Sequence, residues 1–282
     1  MTPKERNNAP AIETLRDPAT VLSASTFSAG LQLLPPHLQR DARALYLLLR
    51  TIDDLVDERH PEARDRVAAL ERWACGAPPE TPEARTLQTL SERHEIPPAA
   101  VEEFCEGMRH DLERASIETE GDLERYCHCV AGTVGIMLAG LLGITSQEGV
   151  ERMATLGSAM QRTNILRDID EDLADGRLYI PRTAIERFGF PTPGNREALL
   201  RDQIPRADAL YEEGMAAIPL LRSGQQAMGL SAVLYREILR QIEREGFGRR
   251  PGRAVVPHWR GSVLIATHIR THTAALSIDR PR

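Results

Sequence analysis

The chain has 282 residues, 41% of them hydrophobic, and a formal net charge of −6 at pH 7. That length can bury a sizeable core and suits one large domain or two small ones. The acidic balance excludes a general nucleic-acid binder, which needs a basic stripe. Of the 35 cationic residues only Lys4 is a lysine, so arginine supplies the other 34. A GC-rich genome is the plain source of that bias, although the guanidinium fork also suits bidentate phosphate contacts.

The N-terminal stretch "MTPKERNNAP" is polar and carries no secretory signal. The four cysteines, Cys75, Cys105, Cys127 and Cys129, form no C-x-x-C pair and no zinc spacing. A reduced, cytoplasmic compartment is therefore expected. Residues 1–18 are predicted to be a loosely packed or disordered tail, residues 19–270 one domain, and residues 271–282 a second tail. "SASTF" before "SAGLQLLP" supplies N-cap residues for an early helix. From there almost every periodic segment has helical spacing, and no alternating runs are bounded by hairpin turns, so the fold class is all-α. Breakers at 33–38, 75–83, 95–100 and 189–195 read as inter-helix loops, being neither long nor low in complexity.

The first segment with chemical content is "LYLLLRTIDDLVDE". At about 100° per residue, Asp53 and Asp57 share a helix face with Tyr46 and Arg50, beside the apolar stripe of Leu45, Leu49, Ile52 and Val56. Asp54 and Glu58 are predicted to point to the solvated side. Two carboxylates four residues apart next to an apolar surface are costly unless a cation answers them. Arg50 could neutralise one; a divalent metal would answer both; a solvated or ion-paired face remains the plain alternative.

Further on, "CVAGTVGIMLAGLLGI" (129–144) is the longest apolar run, shorter than the roughly 20 residues of a spanning helix. Its Gly132, Gly135 and Gly140 fit equally a cavity wall or close helix packing. A second acidic helix is predicted within "QRTNILRDIDEDLADGRLYIP" (161–181), ending at "DG", with Arg177 and Tyr179 of "RLYIP" close to its acidic end. Gln161, Asn164, Asp168 and Asp172 fall within an arc of about 80°, flanked by Ile165, Ile169 and Leu173. Ala154 and Gly157, earlier on the same face, leave room for something bulky. Oxygen ligands at i, i+4 and i+8 suit a hard cation such as Mg²⁺, which usually completes its shell with substrate phosphate. Two facing helices of this kind would hold several such ions, with Arg50, Arg167 and Arg177 at the rim to meet a diphosphate.

These two segments resemble the paired aspartate-rich signatures of the squalene/phytoene synthase family of prenyltransferases. The resemblance extends to "STFSAGLQLLP" (25–35), "YCHCVAGTVGIMLAGLLG" (126–143) and "YREILRQIEREGF" (235–247), in the family's order, and covers about residues 22–265. It implies a single-domain isoprenoid-synthase-type helical bundle around a central cavity. The implied activity is Mg²⁺-dependent ionisation of an allylic prenyl diphosphate, the cation being captured by a second substrate. By motif, Asp53, Asp57, Asn164, Asp168 and Asp172 would hold two or three Mg²⁺ ions together with the diphosphate. Arg50, Arg167, Arg177 and Gln161 would meet the substrate head. Tyr46, Tyr126 and Tyr179 would lie in or near the cavity, and Ser25 and Phe27 would line its entrance.

Some features depart from the family. The positions around Ser23 to Ser25 are neutral where many members carry a lysine, the tail offers only Arg253, His258 and Arg260, and Phe247 stands where several members have tyrosine. The leading expectation is head-to-head coupling of two prenyl diphosphates; the alternative is transfer of a prenyl group to an aromatic molecule such as a carbazole. No NADPH is expected, because "GFGRRPG" has the wrong glycine spacing for a dinucleotide fingerprint and follows a helical pattern. A di-iron bundle is excluded by the lack of any Glu-x-x-His pair. Peripheral membrane contact is expected only through greasy substrates.

Overall fold

In the structure, a computed structural model that describes residues 30–278, every regular element is helical. Helix α1 (Pro36–Asp57) starts at a proline whose missing N–H costs nothing at that position. It buries Leu38, Ala42, Leu45, Leu48, Leu49, Ile52, Leu55 and Val56 at helical spacing. Helices α2 (Ala63–Ala74), α3 (Pro82–Ser91) and α4 (Pro98–Glu113) pack beside it. Thr81 caps α3 through the Ala84 amide at 3.2 Å. A reciprocal capping box between Thr119 and Asp122 opens α5 (Glu120–Cys127). A single π turn (His128–Gly132) joins α5 to α6 (Thr133–Leu141). There the Thr133 hydroxyl donates to the Cys129 carbonyl at 2.6 Å.

Helix α7 (Gln147–Arg167) is the hub. It packs on α5, the π turn and α6, on α10 (Glu197–Met215) and on α11 (Gln225–Arg244). Short helices α8 (Ile169–Ala174) and α9 (Arg182–Phe188) follow it, and α12 (His258–Ile278) lies on α11. The main partners of α1 are α2, α3, α4 and α6. The two acidic helices thus belong to different halves of the bundle and leave space between them.

The glycines of the apolar run serve packing. A Cβ at Gly140 would overlap the Glu95 carbonyl, and one at Gly135 the Met153 carbonyl. Gly157, expected to leave room for a bulky group, is filled by the backbone of the π turn at Ala131. Ala154 is buried in the same contact zone, its carbonyl beside Gly132. That corrects the expectation of free space: the small residues bring α6 and the π turn onto α7. The four breaker segments all fall between or at the ends of helices. The thiols of Cys105, Cys127 and Cys129 are buried, that of Cys75 is exposed, and all four are free. Among the described residues no helix is long and apolar enough to cross a membrane. The cap residues "SASTF" expected for the early helix lie outside the described residues, Ser25 and Phe27 among them, while Gly30 and Leu31 are helical.

Candidate active site

A cavity of about 320 Å³ opens between α1 on one side and the end of α7 with α8 on the other. Its wall is polar: among lining side chains only Ile165 and the rings of Tyr126 and Tyr179 are apolar. Arg50, Asp53, Asp57, Tyr126, Gln161, Asn164, Arg167, Asp168, Asp172, Arg177 and Tyr179 all face it, as the wheel and the resemblance had grouped them. Tyr46 is half-buried one turn before Arg50 and does not line this cavity.

On α1, Arg50 bridges two carboxylates, reaching Asp53 Oδ2 at 2.8 Å and Asp54 Oδ1 at 2.6 Å. This corrects the reading of Asp54 as solvated: it is only 8% exposed, tied down by Arg50, while Asp57 is exposed, as is Glu58. Asp57 in turn accepts from Arg177 Nη1, and its backbone carbonyl accepts from Arg177 Nη2 at 3.1 Å. The two signatures are therefore joined directly, across 120 positions of sequence.

On the opposite wall, the second acidic helix ends before the "DG" at 175–176 as expected, but it is broken within its length. Asp168 (φ −102°, ψ 13°) ends α7 and precedes α8. Its carboxylate is held by Arg167 at 2.7 and 2.6 Å and by Arg253 Nε at 3.0 Å. The Asp172 amide still donates to the Asp168 carbonyl at 2.9 Å, so the carboxylates stay aligned through the break. Asn164 Nδ2 donates to Gln161 Oε1 at 3.3 Å, and Asn164 Oδ1 is buried with no hydrogen-bond partner.

Sequence reasoning missed a third group. Asp111, on α4, accepts from Tyr126 Oη at 2.9 Å and from Tyr179 Oη at 2.9 Å. The two rings stack at 4.9 Å. No motif surrounds Asp111, so only the fold reveals it. Glu171 and Asp175 also line the cavity. Arg253, dismissed as a sparse tail residue, is brought onto Asp168 by a clamp. Arg196, 3% exposed, donates to Asp170 at 2.9 and 2.7 Å and to the carbonyls of Gly248 and Arg250 at 2.9 and 3.2 Å. Asp170 also accepts from the Gly252 amide at 2.6 Å. The segment leading to Arg253 is thus stitched to α8, which carries the acidic signature.

The charges do not balance within this cavity. Seven carboxylates face four guanidiniums. The Asp53 side chain is 38% accessible because it faces the cavity, yet protein surrounds it on its other sides. Burial, then Asp57, pushes its carboxyl up to about 7. Burial, then Asp168, does the same to Asp172, also to about 7. Burial works against the charge of Arg177, but its bond to Asp57 more than offsets this and holds its pKa above the ordinary range. Burial and the neighbouring Asp111 raise both tyrosines, which stay neutral phenols near pH 7.

This donor set fits a hard divalent cation. The carboxylates lack positive charge, and an amide oxygen stands buried and unpaired beside them. Among the described residues no three carboxylate, histidine or cysteine groups are already gathered tightly enough to hold a metal on protein ligands alone. An ion such as Mg²⁺ keeps waters and takes oxygens from a substrate phosphate, so it does not require a closed set of protein ligands.

The fold and this cavity define an isoprenoid-synthase-type prenyltransferase. The structure superposes on a ligand-bound dehydrosqualene synthase with a TM-score of 0.81 at 29% identity, covering 91% of this chain and 95% of that one. A squalene synthase from Alicyclobacillus acidocaldarius gives 0.72 at 28% identity, over 82% and 94%. Residues 21–260 match the squalene/phytoene synthase family, and the chain belongs to that family. The phytoene synthase of Thermus thermophilus is 37% identical over 254 residues, 86% of this chain and 87% of the relative. The 15-cis-phytoene synthase of Synechocystis is 32% identical over 268 residues, covering 84% and 78%.

Proposed function

We propose that the enzyme couples two molecules of one prenyl diphosphate head to head and that the product is of the phytoene type. The observation that carries this reading is the cavity with acidic signatures on both walls and too few cations to neutralise them. Its similarity to phytoene synthases favours a second prenyl diphosphate over an aromatic acceptor. Asp53 and Asp57 on one wall, with Asn164, Asp168 and Asp172 on the other, would hold two or three Mg²⁺ ions. When bound, these would neutralise the diphosphate as it departs.

Arg50, Arg167 and Arg177 now rest on carboxylates. With those carboxylates given to a metal, the guanidiniums of Arg50, Arg167 and Arg177 would be free to turn to the diphosphate oxygens, where bidentate contact would bind and orient the head group. Gln161 fixes the Asn164 amide by accepting from its Nδ2, which leaves Oδ1 as the free acceptor. Tyr126 and Tyr179 donate to Asp111, so their oxygen lone pairs and stacked rings remain available to an adjacent allylic cation. Their raised pKa values keep both hydroxyl protons in place, so neither phenol acts as a base at neutral pH. Coupling that ends in proton loss needs no reductant, so the proposed reaction does not call for NADPH.

The test is incubation with Mg²⁺ and each of dimethylallyl, geranyl, farnesyl and geranylgeranyl diphosphate as sole substrate, with extraction of products. A C40 hydrocarbon from geranylgeranyl diphosphate alone is expected. A C30 product from farnesyl diphosphate would change the chain length and keep the reaction. Diphosphate release with no coupled product would overturn head-to-head coupling and point to a non-prenyl acceptor.

A further inference from the structure

Behind the catalytic cavity lies a second one, also of about 320 Å³, and the two share Arg177 and Asp111 as a common wall. Its charge is of the opposite kind. Arg59, Arg64, Arg114 and Arg177 line it, and Asp111 is the one carboxylate among its lining residues. Asp111 spends its oxygens on the hydroxyls of Tyr126 and Tyr179.

Elsewhere in the molecule arginines are mostly matched to carboxylates; Arg50, Arg66, Arg167, Arg196 and Arg236 are examples. Among the described residues, Arg59, Arg64 and Arg114 have no carboxylate within ion-pairing distance, and Arg114 donates only to the Asp175 carbonyl at 3.1 Å. Arg177 adds a buried Nε with no hydrogen-bond partner. Arg59, Arg64 and Arg114 are exposed and solvated; set around one concavity beside the buried Arg177 Nε, they give it an excess of positive charge that an anion would offset. The geometry of their donors, several N–H groups from separate chain segments, suits a ligand with many oxygens and more than one negative charge.

We propose that this basic cavity is a metal-independent diphosphate subsite adjoining the catalytic one. It deepens, and rests on, the reading of the acidic cavity as the place where diphosphate is released. Arg177 sits at the junction, so a diphosphate leaving the carboxylate-lined side has a cationic neighbour to move to. The two cavities divide the work by charge: one holds diphosphate only with metal, the other without it. Two sources share this chemistry, the inorganic pyrophosphate released by the reaction and the head group of an incoming prenyl diphosphate.

The test uses the full chain in EDTA, where the acidic cavity repels anions and only the basic one can bind. Isothermal titration with inorganic pyrophosphate is expected to show one site per chain that weakens as salt is raised. Replacing Arg64→Ala with Arg114→Ala should weaken it at least tenfold. Replacing Arg85→Ala with Arg222→Ala, which removes the same charge from exposed positions outside the cavity, should not. Binding of inorganic pyrophosphate assigns the subsite to the released product. Binding of geranylgeranyl diphosphate alone assigns it to the incoming head group. Binding of neither in EDTA, or equal loss in both double variants, overturns the proposal. The readout needs no turnover, so a failure of head-to-head coupling would be seen separately.

Discussion

Replacing Asp170 with asparagine tests whether the clamp on Arg196 positions Arg253. The substitution removes the charge that two guanidinium donors and the Gly252 amide share, at 2.9, 2.7 and 2.6 Å. Breaking a fully buried ion pair from one side costs about 3–5 kcal/mol. Here the Asp170 side chain is 20% exposed, and Arg196 keeps the carbonyls of Gly248 and Arg250, so about 2–3 kcal/mol is the expected loss. For a chain of this size that is a fall of roughly 3–5 °C in Tm. Its partners hold the Asp170 carboxyl below the ordinary carboxylate range, against the effect of burial. The stability it adds is therefore fully present above the ordinary carboxylate pKa and is lost only as pH falls through the lowered value. The penalty of Asp170→Asn should be constant from neutral pH down to about pH 5 and shrink below about pH 4.

Function supplies the second readout. With the segment from Gly248 to Arg253 released, its amides should exchange faster with solvent, and turnover should fall roughly tenfold as Arg253 leaves Asp168. Arg253→Ala should match the loss of turnover and leave Tm unchanged, because that side chain is 44% exposed. An Asp170→Asn protein with Tm within about 1 °C of the parent and unaltered turnover would refute the clamp.

Asp168→Asn or Asp53→Asn should lower diphosphate release by at least about 10³-fold while circular dichroism stays that of the parent; normal turnover in both would remove these residues from the site. In metal-free protein Asp53 and Asp172 are expected to cost stability that is absent below about pH 4, grows as pH rises, and is complete above about pH 7. Tm measured in EDTA should therefore fall from pH 5 to pH 8, and the Asp53→Asn/Asp172→Asn protein should show a flatter slope; an equal slope would contradict the charge imbalance. Gly140→Ala should destabilise by about 2–3 kcal/mol, because its Cβ meets a backbone carbonyl that cannot swing aside. A loss of turnover at unchanged Tm would instead restore the cavity-wall reading of that glycine.

The helical class, the loops and the two acidic signatures were legible because each depends on local spacing. Asp53 and Asp57 share a face at any site where α1 is helical, and Gln161, Asn164, Asp168 and Asp172 share another. What stayed hidden depends on neighbours from elsewhere in the chain. Asp54 lies on the wheel where solvent was expected, but the wheel does not carry the surroundings that bury it beside Arg50. Asp111 belongs to neither acidic signature and gains meaning only because α5 and the segment after α8 bring two tyrosine hydroxyls to it. The small residues of 129–144 and Gly157 could equally have faced a cavity or a helix, and only the packing of α6 and the π turn on α7 decides.

The cations were the hardest to place, because arginine reaches far and nothing local fixes its partner. Arg177 crosses to Asp57 and Arg253 reaches back to Asp168, each joining segments that no helical period relates. Those pairings offset part of the carboxylate excess, since each arginine answers a carboxylate on the cavity wall. On the proposed function, the same side chains would be released where a diphosphate needs them. Metal and diphosphate binding would then be coupled through Arg50, Arg167 and Arg177, and either ligand alone should bind more weakly than the two together. Titrating Mg²⁺ with and without inorganic pyrophosphate measures that coupling. Equal Mg²⁺ affinity in both titrations would show that the arginines do not exchange partners.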